Sequence, residues 1–67
     1  MFLKDVKIGD LIRPLNAVEP WYAEVVDIDS VTDPLNGEIT YFITVEWEGN
    51  EYSISGPGDW EMEERDA

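Results

Sequence analysis

Residues Ile39 to Glu48 alternate apolar and polar side chains, and this period of two constrains the fold more than any other feature of the sequence. Successive side chains of a β-strand point to opposite faces, so the alternation predicts a strand with one face on a core. The inward face is predicted to carry Tyr41, Ile43, Val45 and Trp47, and the outward face Phe42, Thr44, Glu46 and Glu48.

Shorter segments of similar character flank this strand. Strands are predicted at 11–14, 21–29, 39–48, 51–55 and 59–63. The second strand changes phase at Val25-Val26, which predicts a β-bulge that lets Ala23, Val25 and Ile28 all face inward. Turns are predicted at Gly9-Asp10 and Gly49-Asn50, and a loop at 30–38. Five short strands and no helix indicate an all-β domain, either a small barrel or a two-sheet sandwich.

The chain has 67 residues, which is enough for one domain, and it has no cysteine that could form a disulfide. A core this small needs large side chains, so the inward-phase aromatics Tyr41, Trp47, Tyr52 and Trp60 are predicted to fill it. Residues 1–67 are expected to form this single domain, with 64–67 as a frayed tail. The protein is expected to be a monomer or a small homo-oligomer.

Charge restricts the choice of partner. Sixteen Asp and Glu stand against four Lys and Arg, for a net charge of −12. Such a surface repels nucleic acid and anionic lipid, because both bind through cationic side chains. A basic protein surface is the favoured partner. Two alternatives remain open: the charge confers only solubility, or it is an adaptation to high salt.

No stretch of the sequence approaches the apolar length of a membrane span, and the N-terminus lacks the apolar run of a signal peptide. A cytoplasmic location is therefore the expectation, in the host cytoplasm if the protein is viral.

Catalysis is not expected, because the chain has no histidine and no cysteine. Acid–base work would fall to carboxylates or tyrosines, and no serine has an imidazole to activate it. No cofactor is predicted. The acids of 27–33 follow part of a calcium-loop spacing, but Val31 and Thr32 stand where that loop needs a ligand and a glycine, so no metal site is predicted.

Three segments resemble small SH3-like barrels of the KOW and Tudor type. Val6-Lys7-Ile8-Gly9-Asp10-Leu11-Ile12 is similar to the opening turn and first strand of those barrels, and Ala23-Glu24-Val25-Val26-Asp27-Ile28 to their second strand. Tyr41 to Gly49 is similar to their third strand and hairpin. The resemblance covers most of 6–63 and implies a five-stranded SH3-like barrel. Members of this kind bind RNA, proteins or methylated side chains, but the basic loops of the RNA-binding members are absent here.

We therefore expect an acidic binding protein that engages a basic protein surface, in one form as a DNA mimic or a viral inhibitor of a nucleic-acid-binding protein. Carboxylates two apart on a strand lie ~6.6–6.8 Å apart, close to the phosphate spacing of a nucleic-acid strand. The predicted contact residues are Glu46, Glu48, Glu51, Asp59, Glu61 and Glu63, with Phe42 and Trp21 as apolar contacts. The alternatives are a small structural or assembly protein and a Tudor-like peptide-binding module with an aromatic cage.

Overall fold

The computed structural model describes residues 1–15 and 22–65, and these form an all-β protein. One sheet contains all five strands, and every pairing in it is antiparallel. The strands are β1 (Leu11–Pro14), β2 (Ala23–Thr32), β3 (Ile39–Trp47), β4 (Asn50–Pro57) and β5 (Met62–Arg65), preceded by a single 3₁₀ turn at Leu3–Asp5.

The strand order is β4-β3-β2-β1-β5. The first four strands therefore form a meander, and β5 returns to pair with β1. The prediction of a five-stranded all-β domain is confirmed. The sheet is not closed into a barrel, because β4 and β5 form its two edges.

The N-terminal segment pairs with the chain between β4 and β5. Phe2 forms a bridge with Glu61, and the backbone N–H of Leu3 donates to the carbonyl of Trp60 at 2.9 Å. The N–H of Lys4 donates to the carbonyl of Gly58 at 3.1 Å. These bonds hold residues 2–4 against 58–61, the chain between β4 and β5.

The predicted bulge lies in β2, where the register with β3 shifts between Val25 and Asp27. It lets Ala23 and Val25 enter the core and Ile28 pack against it, as predicted. The turn predicted at Gly9-Asp10 is shifted by one residue to Ile8-Gly9, since the N–H of Asp10 donates to the carbonyl of Lys7 at 3.1 Å, and this turn is tied to the bulge. The N–H of Gly9 donates to the carbonyl of Val25, and the N–H of Val25 donates to the carbonyl of Asp10, each at 2.8 Å.

The core is mainly aliphatic. Its buried members are Leu3, Val6, Ile12, Ala23, Val25, Ile43, Val45 and Met62. Tyr41 and Trp47 pack against this cluster, as predicted. The placement of Tyr52 and Trp60 in the core was wrong, because these side chains are 46% and 49% exposed. Tyr52 belongs to an edge strand, and Trp60 lies over Gly56, outside the cluster.

Several element boundaries differ from the prediction. β2 continues to Thr32, so the connecting loop is 33–38 and not 30–38. β4 continues to Pro57. Glu64 and Arg65, predicted to fray, belong to β5 and pair with Ile12 and Leu11, while 66–67 lie outside the described residues.

The hairpin turn between β3 and β4 is also shifted by one residue from the predicted Gly49-Asn50. Asn50 pairs with Trp47, which makes Glu48-Gly49 the two-residue loop. Both loop residues have positive φ, 49° and 79°, as a type I′ turn requires. The twist of the flanking strands selects this turn type, and it places Glu48 in a backbone conformation that is unusual for a residue with a side chain.

Candidate protein-interaction surface

Three glutamates form a row across β2, β3 and β4, close to the β3–β4 turn. Glu46 on β3 is paired directly with Glu24 on β2 and with Glu51 on β4. All three side chains are exposed. Directly opposed residues have Cβ atoms about 4.5–5.5 Å apart, and like charges at that separation repel each other and destabilise the sheet. The row is therefore a concentration of negative charge that the fold holds against electrostatic repulsion.

Two aspartates extend this row along β2. Beyond the bulge, Asp27 pairs with Thr44 and Asp29 pairs with Phe42, and both aspartates are exposed. Each carboxylate accepts a hydrogen bond from the next residue's N–H, Asp27 at 3.0 Å and Asp29 at 2.8 Å, which orients the side chain locally. We call the set of Glu24, Asp27, Asp29, Glu46 and Glu51 the acidic face.

No lysine or arginine occurs in β2, β3 or β4. The four basic residues of the chain are Lys4, Lys7, Arg13 and Arg65, and all lie in other segments. On the outward side of β4, the acidic face is continued by the hydroxyls of Ser53 and Ser55, which pair with Thr44 and Phe42. The acidic face therefore has no basic side chain within its own strands to neutralise it.

An exposed aromatic lies within the acidic face. Phe42 sits between Asp29 and Ser55 in the cross-strand register and is 45% exposed. It lines a groove of about 500 Å³ with Val31 and Leu35 at the end of the β2–β3 hairpin. Leu35 is 95% exposed. Apolar surface thus adjoins carboxylates at this end of the sheet.

The second predicted row of carboxylates does not lie beside the first. Asp59, Glu61 and Glu63 were expected on a strand neighbouring that of Glu46, but β1 and β2 separate β5 from β3. Asp59 lies in the turn after β4, and Glu61 lies opposite Phe2. The expectation of two adjacent rows was wrong, because the chain returns to pair with β1 and not with β4.

Glu63 also differs from the other five predicted carboxylates in having an ion-pair partner. Arg13 Nε donates to Glu63 Oε2 at 2.6 Å across the β1–β5 ladder. This hydrogen bond raises the pKa of Arg13 above its usual value. The guanidinium also lies 4.6 Å from the ring centroid of Tyr22. Glu63 therefore offers little charge to an external cation.

The remaining predicted contact residues are Glu48 and Trp21. Glu48 is exposed in the β3–β4 turn, next to the row of three glutamates. Trp21 lies outside the described residues. Of the predicted set, the structure brings together Glu46, Glu51 and Phe42 on one face.

Sequence reasoning missed Glu24, Asp27 and Asp29 as members of this face. Asp27 and Asp29 were weighed only for their calcium-like spacing and as acids near the loop, although the predicted strand 21–29 contains both, as β2 does. The signal was present in the bulge at Val25, because a phase change there turns the following odd-numbered positions outward. The outward residues of β2 pair with the outward residues of Ile39–Trp47. Combining the two sets would have identified the acidic face from the sequence.

A small apolar cavity of about 170 Å³ lies between β1 and β4. Its lining residues are Ile12, Arg13, Pro14, Ala23, Val45, Tyr52 and Ile54. A cage for a methylated cation needs several ring faces. This cavity has one aromatic and an arginine, and Trp47 packs against the core instead.

Across 1–15 and 22–65, no group of three or more acidic side chains is arranged to hold a metal ion. The described part of the chain also has no helix that is long and apolar enough to cross a membrane.

The fold and this surface define a small all-β protein with an acidic sheet face. Comparison with protein-family models, with curated proteins and with solved structures found no match.

Proposed function

We propose that this protein is a non-enzymatic binding protein whose acidic face engages the basic surface of a partner protein. The observation that carries the proposal is the placement of five exposed carboxylates on three adjacent strands that contain no basic residue. Directly opposed glutamates destabilise a sheet on their own, and cations from a partner would relieve that repulsion. Binding would therefore be favoured both by attraction and by the release of self-repulsion.

The overall charge supports the same class of partner. At −12, the chain attracts cationic surfaces over a range set by the Debye length, about 8 Å at physiological ionic strength, and this attraction speeds association. It repels DNA, RNA and anionic lipid, which are not proposed as ligands. Charge complementarity of this kind contributes to rate and specificity as well as affinity.

Phe42 would supply an apolar contact within this charged surface. Interfaces are enriched in aromatic side chains at their centres, and charged groups contribute more where an apolar contact excludes water. Phe42 has Asp29 as its register partner on β2, and the groove that it lines leads to Leu35. A partner with lysine or arginine around an aliphatic side chain matches this surface.

The fold that we propose is an SH3-like barrel left open between β4 and β5. The four-strand meander, the bulge in the second strand and the return of the fifth strand to the first support it. Such an arrangement presents the outward face of β2–β4 as a continuous surface.

DNA mimicry is a special form of this proposal, in which the partner's basic surface is a nucleic-acid-binding site. Asp27 and Asp29, two apart on β2, have the ~6.6–6.8 Å repeat of a strand, which is comparable to the roughly 6–7 Å between successive phosphates. The sequence predicted that two adjacent rows of carboxylates would occupy such a site. We now propose that the acidic face occupies it. An inhibitor of a nucleic-acid-binding protein would act in this way.

A pair of triple variants tests whether the face, and not the net charge, binds. The face variant combines Glu24→Gln, Glu46→Gln and Glu51→Gln. The control combines Asp5→Asn, Glu38→Gln and Glu64→Gln, three exposed acids outside the acidic face. Both variants lose three negative charges from the starting −12.

Binding to purified total histones, measured by biolayer interferometry at low salt, compares the two variants on folded basic surfaces. We expect the face variant to bind about tenfold more weakly than the control, which corresponds to roughly 0.5 kcal/mol per lost carboxylate. Equal weakening of the two variants would contradict the proposal and favour charge that serves only solubility. Competition by duplex DNA for the same histone surface would support the mimicry form.

A further inference from the structure

The two edges of the sheet differ in how well they are protected against another strand. β5 has four residues, of which Glu63, Glu64 and Arg65 are charged. β4 has eight residues and one charge, Glu51, and its proline lies at the very end. Edge strands of soluble proteins are usually short, charged or interrupted, because an unpaired edge is a template for pairing. β5 follows this rule, whereas β4 does not.

The apolar cavity lies beside the exposed edge of β4. Its walls include Ile54 of β4 and both Ile12 and Pro14 of β1, although β2 and β3 separate those strands in the sheet order. The sheet must therefore curl until the inward sides of β1 and β4 face one cavity. A strand added to β4 would continue this curl, and its inward side chains would point into the cavity.

The size of the cavity suits one aliphatic side chain. Its volume is about 170 Å³, and an apolar cavity of about 150 Å³ accommodates a benzene molecule. On the opposite side of the sheet, the next strand beyond β4 would place its outward side chains beside Glu51. Glu51 is the end of the row that continues through Glu46 to Glu24.

We propose that β4 binds an extended segment of a basic partner as an additional strand, with lysine or arginine alternating with aliphatic residues. This inference rests on the proposed function and specifies the partner's binding mode. The main-chain ladder supplies affinity, and alternate side chains supply specificity. The basic side chains meet Glu51 and the acidic face, while an aliphatic side chain enters the cavity between β4 and β1. The partner's segment thereby covers an edge that no strand of the described residues 1–15 and 22–65 covers.

A capped peptide as long as β4, in which lysine and valine alternate, is the probe. Amide hydrogen exchange of the full-length protein is followed by NMR with and without the peptide. Every second residue of an edge strand points its N–H away from the sheet. We expect alternate amides of β4 to gain about tenfold or more in protection, while the amides of β5 keep theirs.

Two modified peptides test the ladder itself. N-methylation of one alternate set of peptide residues removes the N–H groups that pair with β4, and N-methylation of the other set leaves them intact. We expect one methylated peptide to bind about tenfold more weakly and the other to bind nearly as well as the parent. A peptide with the same lysines and valines in two blocks has equal charge, and we expect it to bind more weakly than the alternating one.

The outcomes separate this inference from the proposed function. If the peptides bind equally well and β4 gains no protection, strand addition is wrong while binding by the acidic face stands. If the face variant and its charge-matched control bind histones equally, the proposed function fails. Protection of β4 that grows with protein concentration in the absence of peptide would assign the edge to a second copy of the chain and overturn the proposal.

Discussion

Replacing Glu46 with glutamine should stabilise the protein, because this substitution removes two repulsive contacts at once. Glu46 is opposed to Glu24 on one side and to Glu51 on the other. Cross-strand pairs contribute about 0.2–1 kcal/mol each, so removing two unfavourable pairs should raise the free energy of unfolding by about 0.4–2 kcal/mol. For a domain of this size, each kcal/mol corresponds to about 4–8 °C in melting temperature.

The salt dependence of this gain identifies its origin. The opposed Cβ atoms are about 4.5–5.5 Å apart, less than the Debye length of about 10 Å at 0.1 M but more than the about 3 Å at 1 M. The gain should therefore fall to less than about half of its low-salt value in 1 M NaCl. Thermal denaturation followed by circular dichroism measures both values.

Glu64→Gln is the matched control, because Glu64 is exposed and lies opposite Ile12 rather than another acid. It removes the same charge, and its stability should change by no more than about 0.5 kcal/mol. If the two variants are equally stabilised, the benefit comes from net charge and not from the row. If Glu46→Gln gives no gain at low salt, or the same gain in 1 M salt, the opposed carboxylates are not the source of strain.

Two further predictions concern the backbone. A Cβ at Gly56 would lie 2.1 Å from Cε3 of Trp60. Gly56→Ala should therefore displace the indole and lower the free energy of unfolding, measured by urea denaturation, by roughly 1–3 kcal/mol. An unchanged midpoint would mean that the ring does not rest on this glycine. Glu48 has a φ of 49°, so Glu48→Asn should stabilise the β3–β4 turn by about 0.5–1 kcal/mol, whereas a loss of stability would argue against the type I′ geometry.

The elements best predicted from the sequence are those in which a local pattern coincides with burial. The alternation at Ile39–Trp47 and the phase change at Val25 each specify which side chains face inward, and the structure has them so. Gly9 likewise marks a turn, and its positive φ of 97° is a conformation that glycine adopts readily. In each case the determining interaction lies within a few residues of chain.

The errors arose where the outcome depends on distant partners. The alternation of apolar and polar residues predicts that Tyr52 and Trp60 point inward. Whether such a side chain is buried also depends on which strand lies beside its own. The alternation alone does not indicate that neighbour. The same limitation placed Asp59 and Glu61 beside Glu46, because strand order is set by long-range pairing. The N-terminal bonds to 58–62 connect residues some sixty positions apart, and no local pattern indicates them.

The acidic face was found only in part for the same reason. Glu46 and Glu51 could be located from one hairpin. Recognising Glu24 as the third member of the row requires the register of β2 on β3, which the bulge changes midway along the strand.

The most direct test of the central claim is the affinity of the two triple variants for total histones at low salt, measured side by side. We expect the loss of Glu24, Glu46 and Glu51 to weaken binding about tenfold relative to the loss of three charges elsewhere. If both variants bind with the same affinity, position on the sheet has no role, and the acidic face is not a binding surface.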